Sequence, residues 1–262
     1  MAPRELASVD GTISATVEAT IPLPDDGLYR GDGVFEVIRL YSGTPFELVE
    51  HLDRLERSAA AIELSVERKL VEREIETLLE EFGSDDAQVR IVITRGGRRI
   101  LLTEQMPVMG ETARLATVTY APSVILTGVK SLSYGANMQA TRIAKARGAD
   151  EAVLVRPDGI VLEAPTSTIF WSSPEAGLRT PSIGAGILES ITRAHIVRDL
   201  HVEEGEFPVD DLLGAREAFL ASTVREIQPV SAIDERELEA PGTRTLEAEE
   251  AFKRTVEQAL GA

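Results

Sequence analysis

Lys130 is the residue of this chain whose type and position first indicate covalent chemistry. Only four of the 27 basic residues are lysines: Lys69, Lys130, Lys145 and Lys253. Lysine, unlike arginine, can lose its proton and attack a carbonyl carbon as a neutral amine. Lys130 stands in the segment VKSLSY, just ahead of a predicted helix, so we interpret it as a candidate nucleophile. Lys145 lies within that helix and is interpreted as a solvated side chain.

Arg54, Glu163 and the segment GILESITR (186–193) could act together with such an amine. Arg54 lies in a predicted helix beside its apolar stripe. Glu163 stands between Leu162 and an apolar run, where a carboxylate is costly to bury without a partner. The 186–193 segment leads into a helix whose first N–H groups could bind a phosphate. Each also has an ordinary interpretation: a solvated arginine, an edge-strand glutamate and a capped helix.

Together these features suit pyridoxal phosphate. This cofactor needs an amine for its aldehyde, an acid to keep its ring nitrogen protonated and donors for its phosphate. A metal site is not expected, because His195 and His201 are too isolated to form one. The remaining histidine, His51, starts the helix of Arg54 and is interpreted as a capping or packing residue.

Composition excludes several other classes of protein. The net charge of -17 argues against binding to nucleic acid or to an anionic membrane surface. The absence of cysteine excludes disulfides and thiolate chemistry. No apolar run reaches about 18 residues, and the N-terminal segment lacks the apolar core of a signal peptide. We therefore expect a cytoplasmic protein without a transmembrane helix.

Strand and helix patterns alternate in the first part of the chain, which predicts mixed α/β structure. VFEVIRLY (34–41) alternates like a strand, FELV (46–49) is predicted to pair with it, and AQVRIVITR (87–95) is predicted to be another strand. Two amphipathic helices are predicted between them, the second ending at Gly83. Their inward residues are Val49, Leu52, Leu55, Ala59 and Ile62 in the first helix and Val71, Ile75, Leu78 and Phe82 in the second.

The stretch 103–113 has no clear period and is predicted to link two domains, residues 1–108 and 109–262. The second domain is predicted to contain a helix at 137–147 and a hairpin at 151–163 with the turn PDG. A strand and tight turn follow at 217–230. A C-terminal helix is predicted to bury Leu246, Phe252, Val256 and Leu260.

The motifs from about Tyr29 to Val230 resemble the class IV aminotransferases of pyridoxal-phosphate fold type IV. In chain order they are GDGVFEVIR with EHLDRL, VKSLSY, GADEAVLV, GIVLEAPTSTIF, GILESITR and FLASTVREIQPV. The family includes D-amino-acid and branched-chain aminotransferases and aminodeoxychorismate lyases. The resemblance implies a two-domain α/β (mixed α+β) fold, with a small N-terminal α/β domain and a larger C-terminal domain with a β-barrel-like core.

The resemblance also implies roles toward pyridoxal 5'-phosphate. Lys130 matches the lysine that forms the imine with the cofactor, and Glu163 matches the carboxylate that pairs with its ring nitrogen. The matches for the phosphate are Arg54, the N–H groups of Ile191 and Thr192, and Thr223 with Ser222 beside it. Tyr134 falls near a tyrosine that reaches the phenolic oxygen of the cofactor in some members.

Substrate residues are implied in the first domain. Tyr29 and Phe35 match positions that line the substrate pocket. In the D-amino-acid branch an arginine and a histidine after the TRG strand end hold the substrate carboxylate. Here ITRGGRRILL offers Arg95 and Arg98, with Arg99, but no histidine, and Arg30 is another candidate ligand. Thr168 stands where many relatives carry asparagine.

The resemblance implies a transaminase that uses an amino acid or amine donor and a 2-oxo acid acceptor. GDGVFEVIR and VKSLSY look most like the D-amino-acid branch, which is favoured over the branched-chain type, with an (R)-amine donor as a further option. Two alternatives remain: a lyase that eliminates pyruvate from aminodeoxychorismate to give 4-aminobenzoate, and a binding protein that has lost activity. By analogy with the family we expect a homodimer.

Overall fold

The computed structural model describes residues 5–173 and 176–261, and it is mixed α/β as predicted. The chain forms two compact units. The first unit runs to Val108 and also contains Val129–Tyr134, and the second contains Met109–Gly128 and the residues from Gly135 onward. The predicted division after residue 108 assigns the lysine segment to the second domain, whereas the structure groups this segment with the first unit.

The first unit is built on a six-stranded antiparallel sheet. Its strands are β1 (Leu6–Val9), β2 (Thr12–Ala15), β3 (Gly33–Tyr41), β4 (Thr44–Pro45), β5 (Ala87–Thr94) and β6 (Arg99–Glu104). Their order across the sheet is β2-β1-β6-β5-β3-β4. Its helices are α1 (Asp26–Arg30), α2 (Leu48–Ala61) and α3 (Arg68–Phe82).

The core of the first unit lies between the sheet and the apolar stripes of α2 and α3. Strand β3 alternates its side chains between the two faces of the sheet, as strands do. It contributes Val34, Ile38 and Leu40 to the core. The residues that α2 and α3 contribute to the same core are each at most 2% exposed: Leu52, Leu55, Ala59, Val71, Ile75 and Leu78. This packing fixes α2 against the strand that carries the first site motif.

The predicted strand at 46–49 is wrong. Strand β3 pairs instead with the two-residue β4, where Leu40 faces Pro45. Glu47 has a φ of 52°, and α2 begins at the next residue. Leu48 packs against the core from this helix, so its apolar side chain is half-buried without a strand. Val49, predicted to face inward, is 59% exposed.

The second unit contains an eight-stranded sheet that curls into a half-barrel. Its strands are β7 (Ala113–Thr119), β8 (Glu151–Val155), β9 (Thr168–Ser173), β10 (Ala176–Pro181), β11 (Val202–Gly205), β12 (Glu217–Ser222), β13 (Glu226–Ile233) and β14 (Arg236–Glu237). The order is β11-β10-β9-β12-β13-β7-β8, with β14 paired to β13. The helices are α4 (Gly135–Ala146), α5 (Ile191–Asp199), α6 (Val209–Leu213) and α7 (Thr243–Leu260).

The predicted hairpin at 151–163 is present. Leu154 donates its N–H to the carbonyl of Glu163 at 2.9 Å, and Leu162 donates to the carbonyl of Leu154 at 2.9 Å. Gly159, with a φ of 88°, provides the left-handed position of the turn. The main chain of Glu163 is therefore held on β8.

The predicted C-terminal helix corresponds to α7, with one correction to its buried face. Phe252 and Val256 are buried, but Leu246 is 51% exposed. The first turn of α7 instead directs Thr245 inward, where its N–H and hydroxyl both donate to Glu217 Oε2 at 2.9 Å. A buried carboxylate that accepts these bonds satisfies the start of the helix.

Two kinds of feature are absent from the residues that the structure describes. No helix in 5–173 or 176–261 is both long enough and apolar enough to cross a membrane. The same residues contain no group of three or more histidine, aspartate or glutamate side chains that could hold a metal ion.

Candidate active site

Lys130 is held by its main chain on both sides in the first unit. Its N–H donates to Ser58 Oγ at 3.2 Å, and its carbonyl accepts from the N–H of Phe35 at 3.0 Å. Two residues further on, the N–H of Leu132 donates to the carbonyl of Gly33 at 2.9 Å. The lysine segment therefore runs beside the start of β3 and is supported by α2, so the position of the amine depends on two packed elements.

The Lys130 side chain lies on an aromatic surface. Its Nζ is 4.5 Å from the centre of the Phe35 ring. The Tyr134 ring meets Phe35 edge-on, with centroids 5.5 Å apart. Phe35 is only 8% exposed, so this ring is fixed by packing. The structure thus brings together three predicted site residues: Lys130, Phe35 and Tyr134.

Arg54 is buried, so its interpretation as a solvated arginine is wrong. Only 5% of the residue is exposed. Its Nε donates to Glu36 Oε1 at 2.6 Å, and its Nη2 donates to Glu36 Oε2 at 2.7 Å. His51 Nδ1 lies 2.9 Å from Glu36 Oε2. We call these three residues the Glu36 cluster.

The Glu36 cluster holds one positive and one negative charge. Burial would raise the pKa of Glu36, but the charge and hydrogen bonds of Arg54, with the bond from His51, lower it to about 2. Burial lowers the pKa of His51 and outweighs the attraction of Glu36, with the nearby charges of Arg54 and Lys130 acting in the same direction as burial. The imidazole is therefore neutral near pH 7, and its Nδ1–H donates to the carboxylate.

Glu163 is half-buried in the second unit, so it is not the solvated edge-strand glutamate of the ordinary interpretation. Its Oε1 accepts the N–H of Leu188 at 3.2 Å. Burial raises the pKa of Tyr120, and the negative charge of Glu163 raises it further, which places the phenol within electrostatic range of this carboxylate. Tyr120 donates to Asn137 Oδ1 at 3.5 Å. A carboxylate held in this way suits a protonated ring nitrogen.

Two further segments of the second unit offer donors for a phosphate. Helix α5 begins at Ile191, and Ser190 Oγ caps it by accepting the N–H of Arg193 at 3.3 Å. The N–H groups of Ile191 and Thr192 precede the first bonds within the helix, so they can bind an external anion. Thr192 itself is 2% exposed.

The second segment is the turn between β12 and β13, which we call the 222–226 turn. Ser222 Oγ accepts the N–H of Arg225 at 3.2 Å, and the hydroxyl can still donate its hydrogen. Thr223 is half-buried in this turn. Both predicted hydroxyl residues therefore sit on a turn with a fixed main chain.

Glu151 is a buried carboxylate that joins this turn to two other segments. Its Oε2 accepts from Arg225 Nη2 at 3.0 Å and from Thr166 Oγ1 at 3.3 Å. Its Oε1 accepts from Thr141 Oγ1, on α4, at 2.6 Å. The residue is 3% exposed, so its charge depends on these partners.

The arginines predicted to bind the substrate carboxylate all form ion pairs with acidic residues of the first unit. Arg95 donates to both oxygens of Asp32 at 3.2 Å, and to the carbonyls of Ile62 and Glu63 at 2.6 and 2.7 Å. Arg98 Nη1 donates to Asp10 Oδ2 at 2.6 Å. Arg30 pairs with Asp26. Tyr29, on the same helix as Arg30, is 63% exposed. The roles of these four residues in substrate binding stay predictions.

The description "Amino-transferase class IV" belongs to the family model that matches residues 33–233. The chain belongs to the class IV aminotransferases. The match runs from the start of β3 to the end of β13, so it includes Lys130, Arg54, Glu163 and both phosphate-side segments. The chain is therefore a transaminase whose cofactor is pyridoxal phosphate.

Relatives within the class IV aminotransferases have more than one activity. The chain is 33% identical to a putative branched-chain-amino-acid aminotransferase of Methanocaldococcus jannaschii, over 90% of this chain and 91% of that one. It is 29% identical to a D-alanine aminotransferase of Bacillus licheniformis, over 94% and 95%. It is 30% identical to an aminodeoxychorismate lyase of Bacillus subtilis, over 87% and 86%.

The fold agrees with that of a solved transaminase. A fold IV-transaminase from Curtobacterium pusillum, CpuTA1, superposes with a TM-score of 0.85 at 27% identity, and the match covers 95% of this chain and 99% of that one. The predicted fold type IV is therefore confirmed.

The residues of this class IV aminotransferase fit the cofactor chemically. In the first unit, an amine on an aromatic surface suits an aldehyde and a buried arginine suits a phosphate. In the second unit, a half-buried carboxylate suits a ring nitrogen and the first N–H groups of a helix suit a phosphate. The sequence did not lead to a prediction of Glu36, Ser58 or Glu151 as residues of the site. Glu36 could have been found, because it shares its side of β3 with Val34, Ile38 and Leu40 and so occupies a core-facing position.

Proposed function

We propose that this class IV aminotransferase moves an amino group between an amino acid, with D-amino acids favoured, and a 2-oxo acid, and that Lys130 is its catalytic amine. The observation that carries the proposal is the fixed position of Lys130. Ser58 and Phe35 hold its main chain, and its Nζ lies on the Phe35 ring. The motifs GDGVFEVIR and VKSLSY favour a D-amino-acid donor.

Each residue of the site has a defined task in this proposal. The bound cofactor supplies an electron sink that makes the donor's Cα–H acidic. The neutral Nζ of Lys130 would take that proton from the donor carbon and return it to a carbon of the cofactor. Glu163 keeps the ring nitrogen charged by pairing with it. Arg54, the N–H groups of Ile191 and Thr192, and the hydroxyls of Ser222 and Thr223 anchor the phosphate. Tyr134 would bind the phenolic oxygen of the cofactor, and Phe35 would line the substrate pocket.

The Lys130→Ala variant tests the role of the amine. Its transamination rate is expected to fall at least about a thousandfold, because both proton transfer and the covalent link are lost. Lys145→Ala is the matched control, since Lys145 is an exposed lysine of α4. Equal rates for the two variants would contradict the proposal.

A single-turnover reaction with separate donors tests the substrate class. D-Alanine is expected to convert the bound cofactor to its amine form faster than L-leucine, with a simple (R)-amine as the third donor. Faster conversion by L-leucine would move the assignment to the branched-chain type. Faster conversion by the amine would mean that a carboxylate is not required for binding.

The second candidate is a lyase acting on aminodeoxychorismate, which the Bacillus subtilis relative favours. Both reactions begin with removal of the same proton, so the cofactor residues serve either. Release of pyruvate and 4-aminobenzoate from aminodeoxychorismate, with no conversion of the cofactor by any of the three donors, would support the lyase and overturn the proposed substrates.

The predicted homodimer and cytoplasmic location also remain proposals. Family membership supports assembly, and the side chains of Val124 and Ile125 are 87% and 85% exposed, which leaves apolar surface for a second copy to cover. Sedimentation of the holoprotein at the mass of one 28.4 kDa chain would contradict the homodimer.

A further inference from the structure

Glu36 is a fully buried carboxylate to which the chemistry above gives no task. It lies on β3 and is 0% exposed. Its two oxygens accept from Arg54 Nε and Nη2 at 2.6 and 2.7 Å, which is a side-on bidentate pair. Its Oε2 also lies 2.9 Å from His51 Nδ1. The carboxylate therefore takes a fixed position between two residues of one helix.

A carboxylate beside a phosphate-binding arginine has an electrostatic cost. It cancels the charge of Arg54 and repels an incoming phosphate dianion. A compensating benefit must therefore come from geometry. An arginine side chain has several rotatable bonds, and a bidentate partner holds the plane of its guanidinium in one orientation. Because Glu36 takes the Nε side of the guanidinium, the group is held by one edge.

His51 secures the carboxylate without adding a charge. Its burial lowers the pKa of the ring, so it donates to Glu36 as a neutral imidazole. Its Nε2 is buried and has no hydrogen-bond partner among the described residues. The ring thus serves Glu36 through Nδ1 alone, and the Glu36 cluster keeps a balanced charge before any anion arrives.

The helix face that carries this cluster also supports the catalytic amine. His51, Arg54 and Ser58 lie at helical spacing on the buried side of α2. Ser58 Oγ accepts the N–H of Lys130 at 3.2 Å. The orientation of the arginine and the position of the lysine are therefore set by the same packed helix.

We propose that Glu36 is a positioning residue for cofactor binding: it holds the Arg54 guanidinium in the orientation that accepts the phosphate of pyridoxal phosphate. The inference rests on the proposed role of Arg54. Its consequence is specific, because the contribution of Glu36 to affinity passes through the phosphate and not through the rest of the cofactor.

The test compares two ligands that differ only in the phosphate, pyridoxal phosphate and pyridoxal. The Glu36→Gln variant keeps the side-chain shape but offers one acceptor and turns an NH₂ group toward a donor of Arg54. We expect its Kd for pyridoxal phosphate to rise roughly tenfold to a hundredfold, because a charge-assisted pair is lost. Its Kd for pyridoxal is expected to stay within about twofold of the wild type, since that ligand makes no phosphate contact.

Two further variants complete the experiment. Glu36→Asp retains two carboxylate oxygens and is expected to recover part of the affinity, and it serves as the test variant if Glu36→Gln does not fold. Glu74→Gln is the matched control. Glu74 forms another largely buried pair of the first unit, 2.8 Å from Arg99 Nη2, and its loss is expected to leave both Kd values unchanged.

Two outcomes would overturn the proposal while leaving the role of Arg54 intact. Unchanged or tighter binding of pyridoxal phosphate by Glu36→Gln would mean that the repulsion outweighs the positioning. Equal weakening for both ligands would mean that Glu36 only stabilises the fold. A wild-type protein that binds pyridoxal as tightly as pyridoxal phosphate would instead remove the phosphate role of Arg54, and the proposal with it.

Discussion

The Glu36–Arg54 pair stabilises the folded protein only while Glu36 is ionised. The pKa of Glu36 in the folded protein is about 2, below its ordinary value of 4.5. The carboxylate therefore favours the folded state fully above pH 4.5, and this contribution is lost as the pH falls toward 2.

This titration makes a prediction for acid unfolding. The free energy of unfolding of the wild type is expected to fall more steeply than that of Glu36→Gln between about pH 5 and about pH 2, because the variant has no carboxylate to protonate. Urea unfolding at a series of pH values measures both curves. Parallel curves across this interval would show that the pair does not depend on the ionisation of Glu36.

Polar residues at core-facing positions are the part of the site that the sequence could have revealed. Glu36 has the same parity on β3 as Ile38, and Arg54 lies beside Leu55 on α2. Their partnership could not be predicted, because it depends on the packing of α2 across β3. Ser58 was missed for the same reason, since its bond to Lys130 joins residues far apart in the chain.

At the scale of elements, the ion pair of Glu151 with Arg225 fixes the 222–226 turn. Burial lowers the pKa of Arg225 even though Glu151 opposes that shift, so an unpaired guanidinium here is costly. Arg225 also donates its main-chain N–H to Ser222 Oγ at 3.2 Å. The pair therefore supports the main chain on either side of Thr223.

Removal of this carboxylate is expected to destabilise the second unit. Glu151→Gln leaves the Arg225 charge without its ionic partner and should lower the free energy of unfolding by roughly 2–4 kcal/mol. Chemical denaturation measures the change. Glu250→Gln, which breaks an exposed pair with Arg254 on α7, is the control and should have no measurable effect. Similar losses in both variants would argue against a special role for Glu151.

Periodicity predicted the longer elements well and the short ones less well. Strand β3 and helices α2 and α3 agree with the patterns of apolar residues, because each buries one face against a common core. The strand predicted at 46–49 was wrong, because four residues are too few to distinguish a strand from the first turn of a helix. The prediction that Leu246 is buried was wrong, because Thr245 hydrogen-bonds to Glu217 and so takes the buried side of α7 in place of the leucine.

At the scale of the whole molecule, cofactor binding should be coupled to stability. A ligand that binds only the folded state at about 100 times its Kd adds about 2.7 kcal/mol to the free energy of unfolding. Pyridoxal phosphate is therefore expected to raise the melting temperature more than an equal concentration of pyridoxal, since only the former carries the phosphate for which ligands are proposed above. Equal shifts with the two ligands would contradict a phosphate site.

The covalent attachment of the cofactor to Lys130 is the central claim, and one measurement tests it directly. The holoprotein is reduced with borohydride, which makes the link permanent, then digested, and the modified residue is located by mass spectrometry. We predict the mass of the reduced cofactor on the peptide that contains Lys130 and on no other. Attachment at Lys69, Lys145 or Lys253, or no attachment in protein that binds the cofactor, would contradict the account.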